Sequence, residues 1–206
     1  MTTGARRLRA DAARNAERIL RAARAAYAEI GPDVSLNEIA DRAGVGATTL
    51  FRRFPNKESV ARAAFGQCIA EEISPAIERA LADDDPRHGM VTLMEAAVAM
   101  AAREPGTVGA ARNAGAVSPK ISPPFFEALT ELAQRAQQAG RLRADLVPDD
   151  LYRIMVMVLS LLFTMDLGSN GWSRYISLVL EGLSPVGAGL LPPAVPLAEA
   201  PARSGG

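Results

Sequence analysis

The chain has 206 residues, about half of them apolar, and its 23 basic residues are balanced by 23 acidic ones, which bounds it to one large or two small folded domains. A single histidine, His88, and a single cysteine, Cys68, exclude a histidine-based triad, a zinc site and an intramolecular disulfide within one chain; no enzyme and no cofactor is expected. The longest apolar run, 154–165, is shorter than the roughly 20 residues that span a bilayer, and without a secretory pattern at the start the expected compartment is the cytoplasm.

The neutral total hides an uneven distribution. Residues 1–66 carry 12 basic and 7 acidic side chains, and residues 67–206 carry 11 and 16. Residues 1–9 read as a flexible basic arm. A first helix follows over about 10–30, with Ile19, Leu20, Ala23, Tyr27 and Ile30 at helical spacing as its buried stripe and Gly31-Pro32 as its stop. Arg14, Arg18, Arg21 and Arg24 lie along it, either as a solvated face or as a phosphate-binding one.

Residues 35–57, SLNEIADRAGVGATTLFRRFPNK, are the most informative stretch. Ser35 and Glu38 have capping-box spacing, which fixes the start of a second helix. Leu36, Ile39, Ala40 and Ala43 share its apolar face, and Gly44 can take the left-handed conformation that ends it. A short third helix, about Ala47 to Phe54, is stopped by Pro55. Two helices joined by a glycine-containing turn form the helix-turn-helix unit, whose second helix enters the DNA major groove. The basic surplus at the same end of the chain favours double-stranded DNA as the partner.

Beyond it, Asn56 caps a fourth helix that runs toward Leu81 with a kink expected at Pro75. Further helices are expected at about 89–103, 125–139, 148–167 and 172–183, with a short helix and a loop in the Gly-, Pro- and Ser-rich segment 106–124. No period-two apolar run marks a strand. The fold class is therefore all-α with about nine helices. The expected parts are a helix-turn-helix domain over 10–66, a second helical domain over 67–183, and a disordered Pro- and Ala-rich tail over 184–206.

The stretch ILRAARAAYAEIGPDVSLNEIADRAGVGATTLFRRFPNKESVARAAF, residues 19–65, closely resembles the N-terminal domain of TetR-type transcriptional regulators. The segments QRAQQAGRLRADLVPDDLYRI at 134–154 and W-x-R-Y-x-x-L-V-L-x-G-L at 172–183 look like a ligand domain common in actinobacterial members. The resemblance implies a ligand-responsive regulator, most often a repressor, that binds a pseudo-palindromic operator as a homodimer. It places base reading on Ala47, Thr48 and Arg52, and backbone contacts on Ser35, Gly46, Thr49, Phe51, Arg53 and Lys57. Arg52 can fork onto guanine, and Lys57 can meet a phosphate at a helix N-terminus. Gly46, Thr48, Phe51 and Arg53 depart from the usual family residues. Phe51 lacks a phosphate-contacting hydroxyl and is expected to pack, while Arg53 either replaces that contact or lies along the domain surface.

In the second half the resemblance implies a small-molecule effector and a dimer face. The adaptable apolar residues and a few polar ones give Met90, Met94, Arg112, Phe125, Phe126, Tyr152 and Met155 as effector contacts, although methionine and phenylalanine on helices are also ordinary core. The helix 154–163 is apolar nearly all round and needs cover on two sides. The expected dimer contacts are Leu151, Met155, Val158, Leu159, Leu162, Trp172, Tyr175, Leu178 and Val179. A reading from another class stays open: a helical dimeric sensor or adaptor whose helix-turn-helix no longer binds specific DNA.

Overall fold

The computed structural model describes residues 3–117, 122–185, 187, 189, 191–194 and 196–197, with side chains from Ala12 onward. Among these residues every regular element is a helix. Helix α1 spans Thr3–Glu29, α2 Leu36–Ala43, α3 Ala47–Arg53 and α4 Lys57–Cys68. A π-helical turn, Ile69–Ile73, joins α4 to α5, Ser74–Leu81. Then come α6 (Pro86–Arg103), α7 (Pro105–Asn113), α8 (Pro123–Gln138), α9 (Pro148–Ser160) with a 3-10 turn at Leu161–Phe163, and α10 (Trp172–Gly182). Because α4, the π turn and α5 form one rod, ten α-helical segments make nine rods among the described residues.

The first helix starts at Thr3, so most of the expected arm is helical. Ile19, Ala23, Ala26 and Tyr27 face inward, whereas Ile30, expected in that stripe, is exposed just past the helix end. Helix α2 begins where Ser35 Oγ accepts the Glu38 N–H at 3.1 Å, but Glu38 pairs with Arg42 at 3.0 Å instead of completing the box. Gly44 ends α2 at φ +61°, and the N–H of Val45 reaches back to Ala40 at 3.1 Å, a Schellman closure. A full capping box forms at α4, where Asn56 accepts from the Ser59 N–H at 2.8 Å and Ser59 Oγ lies 3.4 Å from the Asn56 N–H.

The expected kink at Pro75 is resolved one turn earlier. Pro75 has no N–H, and its ring would crowd the preceding turn of a regular helix. The widened turn absorbs this, with the Ser74 N–H donating five residues back to the Ile69 carbonyl. The boundary expected at 66 thus falls within a continuous rod.

One apolar core runs through the chain. Its N-terminal part joins α1, α2 and α4 around Ile39, Leu50 and Val60, and its larger part joins α5, α6, α8, α9 and α10 around Met90, Leu93, Leu132 and Ile176. Each such side chain stabilises the fold by about 1.5–3 kcal/mol on burial. Helix α7 is the exception in placement, since it packs on α1 and α4 and so ties the two parts together.

Part of the segment expected to be disordered is held against the body. Arg143, buried and forked onto Asp145 at 2.6 and 2.9 Å, donates to the Gly189 carbonyl at 2.7 Å. The Leu191 N–H reaches Asp145 and the Leu197 N–H reaches Asp149. No helix among the described residues is long and apolar enough to cross a membrane.

Candidate nucleic-acid interface and apolar cavity

The third helix is anchored by its inward side chains. Leu50 is fully buried and Phe54 nearly so. Since α3 has only seven residues, those anchors and the α2 contact fix which side meets solvent. Ala47, Thr48, Phe51, Arg52 and Arg53 are exposed, and Thr49 is half-buried. Phe51 departs from the expected packing role: it is 45 % exposed, because Leu50 takes the inward position beside it. Arg53 lies along the domain, its guanidinium 6.0 Å from the centre of the Phe54 ring. Gly46 holds the helix N-cap in extended conformation without a side chain to satisfy the first amides, which leaves those N–H groups open to an anion. Ser35 is exposed, but its hydroxyl is engaged with Glu38.

Lys57, at the start of α4, donates to the Asp33 carbonyl at 2.8 Å and remains exposed; an ammonium has three donors, so others stay available. The arginines of α1 divide differently from the expectation. Arg18 caps the end of α2, donating to the carbonyls of Ala43 at 2.7 Å and Gly44 at 3.2 Å. Arg24 bridges to Glu104 at 2.5 Å and Glu71 at 2.8 Å. Neither role has a local signal, since both depend on residues brought together only by the fold.

Arg24 belongs to the joint between the two parts. Burial would raise the Glu104 carboxyl, but hydrogen bonds from Arg24 and from Thr107 Oγ1 at 2.8 Å outweigh it and hold the pKa below its ordinary value. The same carboxylate raises the Arg24 guanidinium. At the other end of α7, Arg62 of α4 donates to the Ala114 carbonyl at 2.9 Å. Cys68 lies nearby, fully buried, and burial pushes its thiol up to about 11, so it stays a neutral, unreactive core residue.

Beneath α7 is a small, partly open apolar cavity of about 60 Å³. Its wall is built from Phe65 on α4, Ile69 and Ile73 of the π turn, Ala97, Met100 and Ala101 of α6, Val108 of α7, Phe125 and Phe126 of α8, and Met155 and Leu159 of α9, with Val117 and Ser122 beside them. Of the expected effector contacts, Phe125, Phe126 and Met155 are therefore on the wall. Tyr152 stands against Phe126, with ring centroids 5.6 Å apart, and does not line the cavity. Met90 and Met94 are sealed in the core, and Arg112 is exposed at the end of α7. The contributions of α4 and the π turn were not expected, because Phe65, Ile69 and Ile73 look like any helix core in sequence. Ser122 was also missed; its signal was the pair of prolines that follows it. Among the described residues no cluster of ligating side chains could hold a metal ion.

The expected dimer contacts divide by burial. Leu151, Met155, Val158 and Trp172 are buried in the chain's own core. Leu159, Leu162 and Val179 are half-buried, and Tyr175 and Leu178 are exposed. The exposed apolar row also includes Val156, Met157 and Phe163, the last 80 % exposed. A helix apolar nearly all round gives no sequence signal for which side its own domain will cover. Asp166 closes a turn by accepting the Gly168 N–H at 3.0 Å.

Comparison with known proteins covers both parts. Residues 19–64 match the family described as bacterial regulatory proteins, tetR family, and residues 85–185 match the transcriptional regulator SbtR-like C-terminal domain. No curated protein matches. Among solved structures, a TetR transcription regulatory protein from Mycobacterium vanbaalenii is 31 % identical with a TM-score of 0.55, covering 86 % of this chain and 99 % of that one. The TetR transcriptional regulator SCO0520 from Streptomyces coelicolor is 28 % identical, TM-score 0.57, over 83 % of this chain and 99 % of its own. The regulator FadR from Bacillus subtilis, solved with stearoyl-CoA, shares the fold at 16 % identity and TM-score 0.66, covering 82 % and 98 %.

Proposed function

We propose that this chain, which belongs to the TetR family of bacterial regulatory proteins and is a ligand-responsive, DNA-binding transcriptional regulator rather than an enzyme, works as a repressor. It binds a pseudo-palindromic operator as a homodimer and is released by a small apolar effector. The observation that carries the reading is the outward row of α3. Thr48 and Arg52 are exposed on a helix pinned by Leu50 and Phe54, the arrangement a major-groove reader needs. Arg52 offers guanine a bidentate fork, Ala47 and Thr48 offer thymine a methyl contact, and Phe51 presents an apolar ring to the same groove. Around them, the α3 amides at Gly46, with Ser35, Thr49, Arg53 and Lys57, approach phosphates and set the register.

The exposed row Val156, Met157, Phe163, Tyr175 and Leu178 would meet its copy on a second subunit, burying a patch too apolar to leave in water. Two reading heads would then face successive major grooves about 34–36 Å apart. The cavity touches α4 through Phe65 and α7 through Val108, so an effector has a physical route to the heads. It releases DNA only to the extent that it binds one spacing better than the other.

Selection of fragmented genomic DNA on the purified protein, followed by salt titration of the best fragment, tests this reading. An enriched inverted repeat whose affinity falls as salt rises supports it. No enrichment over a dimeric control, from folded protein freed of bound small molecules, turns the assignment toward the sensor or adaptor without DNA binding.

A further inference from the structure

We infer that the cavity selects an uncharged, mainly hydrocarbon ligand whose single polar group, a carbonyl or hydroxyl oxygen, hydrogen-bonds the Ser122 hydroxyl. The inference rests on the reading of this cavity as the effector site and names the chemistry it accepts.

Ser122 is the only polar side chain on the described wall. It is 9 % exposed, and it occupies the N-cap position of α8 without making the usual cap bond. The reason lies in the sequence. A capping serine accepts from the second or third amide of its helix. Here the second helical residue is Pro124, which has no N–H, so only the Phe125 amide could serve. The backbone at Ser122, with φ −121° and ψ 52°, also departs from the extended cap conformation. Its carbonyl takes the Phe126 N–H at 3.4 Å, and its hydroxyl has no partner among the described residues. A hydroxyl on a nearly buried residue, with no partner among the described residues, keeps its donor and its acceptor capacity for whatever enters.

The described part of the wall carries no charge. No ionised or amide side chain among the described residues lines it. A carboxylate bound there would lose its hydration without gaining a counter-charge from the described residues, which lowers affinity by orders of magnitude.

The test uses the full chain and displacement of a neutral apolar dye, N-phenyl-1-naphthylamine, by a matched-chain series: decane, 2-decanone, 1-decanol and, at about pH 8, decanoate. In the wild type the ketone and the alcohol displace the dye at far lower concentration than decanoate. Ser122→Ala weakens the ketone and the alcohol by about five- to tenfold, the loss of one neutral hydrogen bond, and leaves decane unchanged. Ser122→Thr, which keeps the hydroxyl, restores the preference. Decanoate competing as well as the ketone, or a ketone affinity unaffected by Ser122→Ala, overturns the proposal. Failure of the dye and all four compounds to bind overturns the site. Operator affinity is measured alongside: the expected displacement pattern with no loss of DNA binding leaves the ligand chemistry standing and removes the effector reading instead.

Discussion

A β-carbon on Gly106 would overlap the backbone carbonyl of Tyr27. The missing side chain lets the start of α7 rest directly on the end of α1, where Glu104 takes Arg24 and Thr107 is buried. Gly106→Val should force the helices apart and destabilise the protein by about 1–3 kcal/mol, the usual cost of overpacking, lowering the melting temperature by several degrees. Gly109 on the same helix is the control. A β-carbon there meets only Pro32 at 3.8 Å, so Gly109→Ala should be neutral or stabilising by up to about 1 kcal/mol. Equal melting temperatures for wild type and Gly106→Val would contradict the close seat of α7 on α1.

The reading helix makes a prediction in two parts with different signatures. Arg52→Ala should cost about 1–3 kcal/mol of operator affinity and relax preference at one base position. Lys57→Ala should weaken all sequences alike and reduce the salt slope by about one contact. Lys57 also holds the Asp33 carbonyl, so the thermal stability of that variant must be followed too. Affinity profiles over a randomised operator at several salt concentrations separate the two. An Arg52→Ala protein with unchanged base preference would remove Arg52 from the reading set.

The proposed dimer face gives a third outcome. Leu178 and Phe163 are exposed apolar residues that make little of the chain's own core, so Leu178→Glu and Phe163→Glu should leave the monomer folded while placing a charge in the interface. Sedimentation velocity should show a shift toward monomer with unchanged helical circular dichroism. Persistence of the wild-type dimer in both variants would place the interface elsewhere.

These results mark where local chemistry was sufficient and where it was not. The α2–α3 unit was legible because each boundary is set by residues within a few positions: Ser35, Gly44, Pro55 and Asn56. Pro75 announced a disturbance, though not its form as a π turn. Helix α9 was legible as a helix but not in its orientation, because an all-apolar helix has no sequence-visible face; Met155 and Val158 turned inward, and Val156 and Met157 outward. The Arg-rich first helix looked like a phosphate-binding surface, yet Arg18 and Arg24 serve the fold through Ala43 and Glu104. The part of the cavity wall supplied by Phe65, Ile69 and Ile73 depends on α4 passing beneath α7, a tertiary relation that no spacing encodes.

The last prediction concerns pH. His88 Nδ1 lies 2.5 Å from Asp83 Oδ2 at the start of α6. The bond to Asp83 raises the imidazole above its ordinary value, and in return His88 lowers the carboxyl. A raised imidazole contributes stability that is fully present below its unfolded pKa of about 6.5 and is lost as pH rises through the folded value. A lowered carboxyl contributes stability present above about pH 4 and lost as pH falls through its own folded value. The pair therefore supports the α5–α6 turn most strongly at mildly acidic pH. His88 is exposed and Asp83 half-buried, so the effect is small and screened by salt. Asp85, which pairs with Arg141 at 2.5 Å, and Glu95 add to the field that favours the charged imidazole. His88→Gln should melt below the wild type near about pH 5–6, and the difference should shrink toward zero by about pH 8–9. A difference that stays constant over that range would mean that the charged pair does not form in solution.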